Sequence, residues 1–435
     1  MSRTELDQAA STVTAATAPR PKLCILTQYF PPEMGAPQAR LSELGERLID
    51  RGWDVEALTA LPNYPTGKVF DDYDPNAPCV DMVGRIRCIR VPLYTAKTGF
   101  LKRLRCYFSF VRGAKRFGPQ LCSRPDLLFV ESPPLFIGYA ARKLAKYWDC
   151  PFVFNVSDLW PESAIRMGVV KEGLATKMAE RLEIKTYEAS AGVTGQSEEI
   201  IASVRERCPS VPTKIITNGV DPKRFGPKHA DDEAKALLGS EPGPIFIFAG
   251  LLGLAQGLDQ ILDLAKSLSD ETPGRFVLVG EGPARADLER RIQAEGISRI
   301  KIVAAQPRER VPALLAAADA AVISLGMAIP GAVPSKIYEA MASSLPILLV
   351  ADGEPARRIN ASKCGLTVST GDHQALGEAF RRLASDETLR EELGKHGRHA
   401  AETLYNRDGI ADVLDQFLRS RLPNRQSFES ESPNG

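Results

Sequence analysis

The sequence predicts an α/β fold, with two Rossmann-like domains facing a central cleft, from three observations. Short, apolar, β-branched runs alternate with amphipathic helical stretches along almost the whole chain. The rhythm occurs twice, and a softer stretch of Gly, Pro and mixed charge, TNGVDPKRFGPKHADD (217–232), separates the two series. At 435 residues the chain also exceeds one ordinary domain.

In the first series KLCILTQ (22–28) is followed by a helical pattern from Pro37 to Arg51, then DVEALTA (54–60), DLLFVE (126–131), PFVFNV (151–156) and GVTGQS (192–197). The second contains PIFIFAG (244–250), RFVLVG (275–280), RIKIVA (299–304), AAVISL (320–325), PILLVA (346–351) and GLTVST (365–370). Strands buried on both faces and separated by helices imply parallel sheets with right-handed crossovers. The expected division is a flexible leader (1–20), an N-terminal domain (21–218), a C-terminal domain (219–405), a helix returning to the first domain (406–422) and a disordered tail (423–435). Open parallel sheets bind ligands beyond the carboxyl ends of their strands, so two facing sheets would share one cleft.

Composition removes several function classes. A net charge of +1 gives no global drive towards nucleic acid, and no nucleic-acid partner is expected. The eight cysteines form no C-x-x-C pair and read as small buried hydrophobes in a reducing cytosol. The four histidines are His229, His373, His396 and His399, which excludes a His-containing zinc site or a Ser-His-Asp triad built from the N-terminal half. The leader lacks the apolar core of a cleavable signal, and no run of eighteen apolar residues is present to span a membrane.

The segment Gly331–Pro346 follows the run AAVISL. Pro334 and Ser335 suit a helix start, where free N–H groups and the positive dipole end favour a diphosphate. Lys336 adds a full charge there, and Glu339 can accept hydrogen bonds from ribose hydroxyls. An ordinary capped helix with a solvated Lys and Glu fits the same letters.

The run PSKIYEAMASSLPILL (334–349) resembles the donor-binding segment of the family 4 glycosyltransferases, which have the GT-B fold. Other segments follow in the family's order: PPEMG (31–35) after the first strand, TNGVD (217–221) between domains, FAGLLGLAQG (248–257), VGEGP (279–283) and the ending GDHQALGEAFRRLASDETLREELG (371–394). With DLWPES (158–163), the PSK form resembles a branch, similar to L-fucosamine transferases, that builds bacterial surface polysaccharide from acetamido-sugar donors. The resemblance implies retention of anomeric configuration, no metal and no resident cofactor, with a nucleotide diphosphate sugar as substrate and UDP the expected nucleotide. It places donor binding on Gly35, Gly250, Gly253, Gln256, Gly280, Glu281, Ser335, Lys336 and Glu339.

Two departures stand against the family pattern. Ala332 occupies the position of a Glu that touches the donor sugar, and Leu251 and Gln256 replace an Arg and a Lys that contact diphosphate. Lys336 is then expected to carry more of the leaving-group charge. A nucleotide-sugar epimerase of similar build, and a membrane-associated assembly partner with impaired catalysis, are the alternatives.

Asp158 and Glu162 follow a strand, where Asp158 could orient the acceptor hydroxyl or accept its proton with Glu162 in support. A helix N-cap Asp with a first-turn Glu fits equally well. Asp72-Tyr73-Asp74 spells D-x-D but lies in a Pro/Gly/Asp-rich stretch and reads as a solvated turn, so no metal site is expected. Gly280-Glu281-Gly282 is half a dinucleotide fingerprint, which leaves a nicotinamide reading weak.

From Met82 to Arg124 there are eleven Lys or Arg and no Asp or Glu. Within this stretch GFLKRLRCYFSFVRGAKRF (99–117) places Phe100, Leu104, Phe108 and Val111 on one side of a helix, flanked by Lys102, Arg103, Arg105, Arg112 and Arg116. A basic helix with an apolar face can lie in an anionic membrane surface. The expected location is cytoplasmic, peripheral on the inner face of the plasma membrane, serving a polyprenyl-linked acceptor. The same pattern also fits a helix whose apolar face packs on the sheet.

Overall fold

The computed structural model describes residues 20–96, 99–166, 168 and 170–423. The predicted leader and tail therefore fall almost wholly outside the described residues.

The first sheet has eight strands in the order β3-β4-β2-β1-β5-β6-β7-β8, with β1 at Lys22–Leu26, β2 at Asp54–Ala60, β3 at Cys79–Val83, β4 at Ile86–Val91, β5 at Leu127–Ser132, β6 at Phe152–Val156, β7 at Gly192–Gly195 and β8 at Thr213–Ile215. The second has six in the order β11-β10-β9-β12-β13-β14, with β9 at Ile245–Ala249, β10 at Arg275–Val279, β11 at Ile300–Val303, β12 at Ala320–Ser324, β13 at Ile347–Val350 and β14 at Gly365–Val368. All pairings are parallel except β3 on β4. That hairpin and β8 escape the sequence pattern because both half-buried edges, CVDMV and TKI, lack a continuous apolar run. The other strands run as expected, within two residues.

Each sheet is covered on both faces, as parallel sheets require. In the first domain Phe110, Ala114, Ala140, Leu144 and Trp148 line one face with Phe154 and Tyr187. On the other, Leu44, Leu48 and Trp53 meet Ile410, Leu414 and Leu418. The helix Arg407–Arg419 thus completes the layer of a domain that begins 385 residues earlier, at Lys22. Its polar edge is tied to the helix Ala36–Asp50 and its turn: Arg47 bonds Asp408 (2.7 Å), Arg51 bonds Asp412 (2.8 Å) and Trp53 Nε1 donates to Asp415 (2.6 Å). In the second domain the rings of Phe246, Phe276 and Phe380 pack at centroid distances of 4.6–5.7 Å.

The chain passes between the domains twice, at 216–221 and 405–407, and the two passages are bonded together. Val220 N–H donates to Tyr405 O and Arg407 N–H to Val220 O, both at 2.9 Å. Gly219 is left-handed (φ 58°), and a Cβ there would lie 2.7 Å from Tyr405 O. Only glycine admits that approach. Glu43, from the first domain, pairs with Arg407, with Arg308 at 3.0 Å and with Arg224 at 3.8 Å.

Candidate functional site

The loops that leave β9 and β10 are packed backbone against backbone. Gly250 N–H donates to Val279 O (2.9 Å) and Leu252 N–H to Glu281 O (2.8 Å). A Cβ on Gly280 would lie 1.9 Å from Gly250 O, and one on Gly282 2.3 Å from Leu252 O. These glycines are needed for close approach of the two loops, whatever they bind. Glu281 places its carboxylate on Arg285 of the following helix, and its side chain is 56% exposed. Gly253 opens the short turn Leu254–Gln256.

Lys336 is the first residue of the helix Lys336–Ala342, which follows β12. Its side chain is half-buried, and its Nζ end lies inside: 3.0 Å from Gln256 Oε1, 3.7 Å from the centroid of the Phe248 ring and beside Gly250. No carboxylate pairs with it among the described residues. Burial pulls the ammonium down to about 7, and Glu339 works against that shift. The structure thus brings Gly250, Gln256 and Lys336 into contact and sets Gly280 behind them. Phe248, whose ring face supports the ammonium, gave no sequence signal beyond its place in a strand. Ser335 is itself helical (φ −60°, ψ −28°) and its hydroxyl caps nothing, contrary to the capped-helix alternative.

Glu339 sits one turn further on, half-buried. Burial raises its carboxyl, while Arg308, Arg407, Lys336 and Arg224 lower it. No described residue hydrogen-bonds the carboxylate. Ala332 lies in the approach to this helix, in a stretch that touches the first domain: Gly331 N–H donates to Glu199 (2.9 Å), and a Cβ on Gly331 would meet Ile200 at 2.5 Å. Leu251 and Leu254 are 58% and 78% exposed at the loop edge.

In the first domain Asp158 follows β6 and accepts a hydrogen bond from Ser163 Oγ. Burial raises its carboxyl, and the Ser163 hydroxyl opposes the rise. Glu162 begins the one-turn helix Glu162–Arg166 and pairs with Arg166 at 3.3 Å. Gly35 stands just ahead of the helix Ala36–Asp50. Under these residues lies a buried network that sequence reasoning missed. Arg40 donates to Glu131 (2.7 Å) and Ser157 (3.3 Å), Asn155 to Glu131 (2.7 Å), and Thr194 to Asn155 (2.7 Å). Its residues come from four separate elements, so no local spacing marks it. Asp74 caps the N–H of Asn76 in a turn, and no cluster of three metal-ligating side chains occurs among the described residues.

The basic segment forms the helix Phe100–Leu121. The expected apolar side is divided: Val111 is in the core with Cys106, Phe110 and Ala114, Leu104 is half-buried, and Leu101 and Phe108 are 78% and 46% exposed. The side chain of Phe100 lies outside the described residues. The helix packs on β4 and the helix Ile137–Trp148, which selects the 106/110/114 stripe for burial and turns Leu101, Arg105, Phe108 and Arg112 outwards. Four of the eleven basic residues find acids from elsewhere: Arg85 pairs with Glu46 and Asp50, Arg87 with Glu56, Arg90 with Asp81 and Arg124 with Asp149. Lys102, Arg103, Arg105, Arg112, Lys115 and Arg116 have no carboxylate partner among the described residues. No described helix is long and apolar enough to cross a membrane.

Known proteins agree with this architecture. The model described as a glycosyl transferase 4-like domain matches residues 35–219, and the one described as glycosyl transferases group 1 matches 230–400. A putative colanic acid biosynthesis glycosyl transferase of Escherichia coli is 27% identical over 341 residues, 74% of this chain and 81% of that protein. Sucrose-phosphate synthase from Thermosynechococcus elongatus superposes with a TM-score of 0.74 at 21% identity, covering 92% of this chain and 99% of that one. An Anabaena protein, HepE, solved in complex with UDP, superposes at 0.67 and 14% identity over 92% and 100%. At those identities the two superpositions establish the fold alone.

Proposed function

We propose, for a chain that belongs to the family 4 glycosyltransferases of GT-B fold, that it moves an acetamido sugar from a nucleotide diphosphate donor, with UDP the expected nucleotide, to a lipid-linked or saccharide acceptor in bacterial surface polysaccharide synthesis. The observation that carries the donor reading is Lys336: a half-buried ammonium beside a glycine turn, bonded to no carboxylate among the described residues, is a cation in want of an anion. Glu339, three residues on and with no hydrogen-bond partner among the described residues, is assigned to the ribose hydroxyls. The polysaccharide role is supported by the colanic acid relative. Retention and the absence of a metal rest on the family resemblance. Without a metal, the departing diphosphate is stabilised by helix N-termini and Lys336. Asp158 is assigned to the acceptor hydroxyl, with Glu162 in support, on its place beyond β6.

A thermal-shift series with nucleoside diphosphates tests the donor reading, because a ligand bound only by the folded state raises the midpoint. One diphosphate is expected to stand out; a flat response to all of them rejects the reading. Release of free nucleotide and a glycosylated acceptor would separate transfer from epimerisation.

Peripheral attachment to an anionic membrane is proposed from the helix Phe100–Leu121, on Leu101 and Phe108 with the six cations that have no carboxylate partner among the described residues. Co-sedimentation with anionic vesicles should weaken as salt shortens the Debye length from about 10 Å at 0.1 M to about 3 Å at 1 M. Replacing Lys102, Arg103 and Arg105 by Glu should abolish it and spare nucleotide affinity. If wild-type protein ignores anionic vesicles at low salt, the attachment is wrong.

A further inference from the structure

Beyond β1, β2 and β4, well away from the Lys336 loops in sequence, the first domain gathers tyrosines. Tyr29 follows β1 and Tyr64 follows β2, and their rings meet edge to face at 6.1 Å and 69°. Tyr107, from the helix Phe100–Leu121, lies near enough to Tyr29 for the two phenols to act on one another electrostatically. Tyr64 is 43% exposed, while Tyr29 and Tyr107 are half-buried. Next to Tyr29 in the chain, Gln28 is wholly buried, its amide reaches Cys106 Sγ at 3.5 Å, and its Oε1 has no partner among the described residues.

The two tyrosine loops are held far more firmly than surface turns require. Glu33 is buried, and its carboxylate accepts the N–H groups of Asn63 (2.8 Å), Tyr64 (2.9 Å) and Phe30 (3.3 Å), fastening both loops at one point. Arg90 is fully buried; it donates to Pro31 O (2.6 Å) and to Asp81 (2.7 Å). Desolvating these ions costs several kcal/mol apiece before the gains of pairing. Such investment below exposed rings is the pattern of a preorganised binding surface. Arg103, one turn before Tyr107, is exposed, has no acid among the described residues and is close enough to favour the ionised form of both Tyr29 and Tyr107.

We propose that this cluster is an acceptor subsite that takes a sugar ring against Tyr29 and Tyr64 and an adjacent anionic group at Arg103. Phenol rings offer an apolar face to the C–H side of a pyranose and hydroxyls to its rim. The anion could come from a glycosyl diphosphate or from a uronic acid; the shared chemistry is a negatively charged saccharide. Glu33 and Arg90 act as positioning residues. The proposal rests on the transfer function above and adds the acceptor's class.

Calorimetric titration tests it with four probes: UDP, geranyl-diphosphate-linked N-acetylglucosamine, methyl glucuronide and geranyl diphosphate. One of the two charged saccharides is expected to bind wild-type protein, and which one identifies the anion. Tyr64→Ala should weaken that binding about five- to tenfold, the scale of one lost aromatic contact. Tyr64→Phe should restore most of it, and Arg103→Ala should weaken it at least as much as Tyr64→Ala. UDP affinity should stay unchanged in every variant, which also confirms that each one folds. Geranyl diphosphate should respond to Arg103→Ala and ignore Tyr64→Ala. Normal UDP binding with no charged saccharide bound, or with Tyr64→Ala indifferent, overturns the subsite and leaves the donor reading standing. Loss of UDP binding in wild-type protein would instead remove the transfer function.

Discussion

At the carboxyl ends of β1, β5 and β6 the polar side chains bond to one another, whereas the loops of the second sheet hold a single ammonium against glycine backbone. Arg40 and Glu131 are 2% and 3% exposed and form a pair with Asn155 and Ser157 around it. Lys336 has an amide oxygen and a ring face, and Glu339 has no hydrogen-bond partner at all among the described residues. A buried charge held against its opposite stabilises structure, although Arg40 bonds only through Nη2 and its Nε and Nη1 find no partner among the described residues. A charged group left open in a cleft is available to a ligand, and its protonation is pushed away from the usual value. At these two sets of strand ends the bonding thus differs: the first encloses a charge pair, the second holds an ammonium with no carboxylate bonded to it among the described residues.

The strongest way to break this contrast is Arg40→Ala. Removing one partner of a buried pair leaves an uncompensated carboxylate, so unfolding free energy should fall by about 3–5 kcal/mol in denaturant titration. A stable Arg40→Ala protein would show that the network belongs to a site. Lys336→Ala should do the opposite, leaving the unfolding midpoint nearly unchanged and lowering kcat by about 10²-fold or more in steady-state assays. Normal kcat with only a raised KM would reduce Lys336 to a binding contact. Glu339→Ala comes next: nucleoside diphosphate binding should weaken by about 1.5–3 kcal/mol by calorimetry, the scale of a charged hydrogen bond. Unchanged affinity in the folded variant would remove the ribose assignment.

The smallest effect is a pH dependence. Lys336 has its pKa lowered to about 7 by burial, so the free protein carries the ammonium below that pH and loses it above. A diphosphate selects the charged form and raises its pKa. Affinity should therefore be full below pH 7 and fall by up to about tenfold per unit above it, about 1.4 kcal/mol, until the pKa of the complex is reached. In Lys336→Arg the slope should vanish, because a guanidinium stays charged. A wild-type profile that is flat from pH 6 to 9 would contradict the burial of Nζ.

The architecture was legible because parallel strands buried on both faces write continuous apolar runs, such as PIFIFAG and PILLVA. β3 and β8 were not, since edge strands half open to solvent carry no such run. Around Lys336 the ordered motifs located Gly250, Gln256 and Gly280, but their division of labour needed coordinates. Gly280 proves to be a spacer behind Gly250, and Phe248 a support. The acid-free stretch from Met82 to Arg124 misled in one respect. Sequence neighbours say nothing of Glu46, Glu56 or Asp81 arriving from other strands and helices, and these neutralise Arg85, Arg87 and Arg90. The helix Phe100–Leu121 was visible, but its buried stripe was set by the sheet beneath it.

The return of the helix Arg407–Arg419 to the first domain also has a meaning in time. Trp53 and the strands around it leave the ribosome well before the lid over that face, Ile410, Leu414 and Leu418. At about 5–20 residues per second, the roughly 365 residues between Trp53 and Leu418 take about 20–70 s to synthesise. For that interval the nascent first domain presents an uncovered indole and its leucine neighbours to the cell. Maturation of the earlier domain waits on completion of the later one, and a chain stopped short of residue 407 would carry that exposed face permanently.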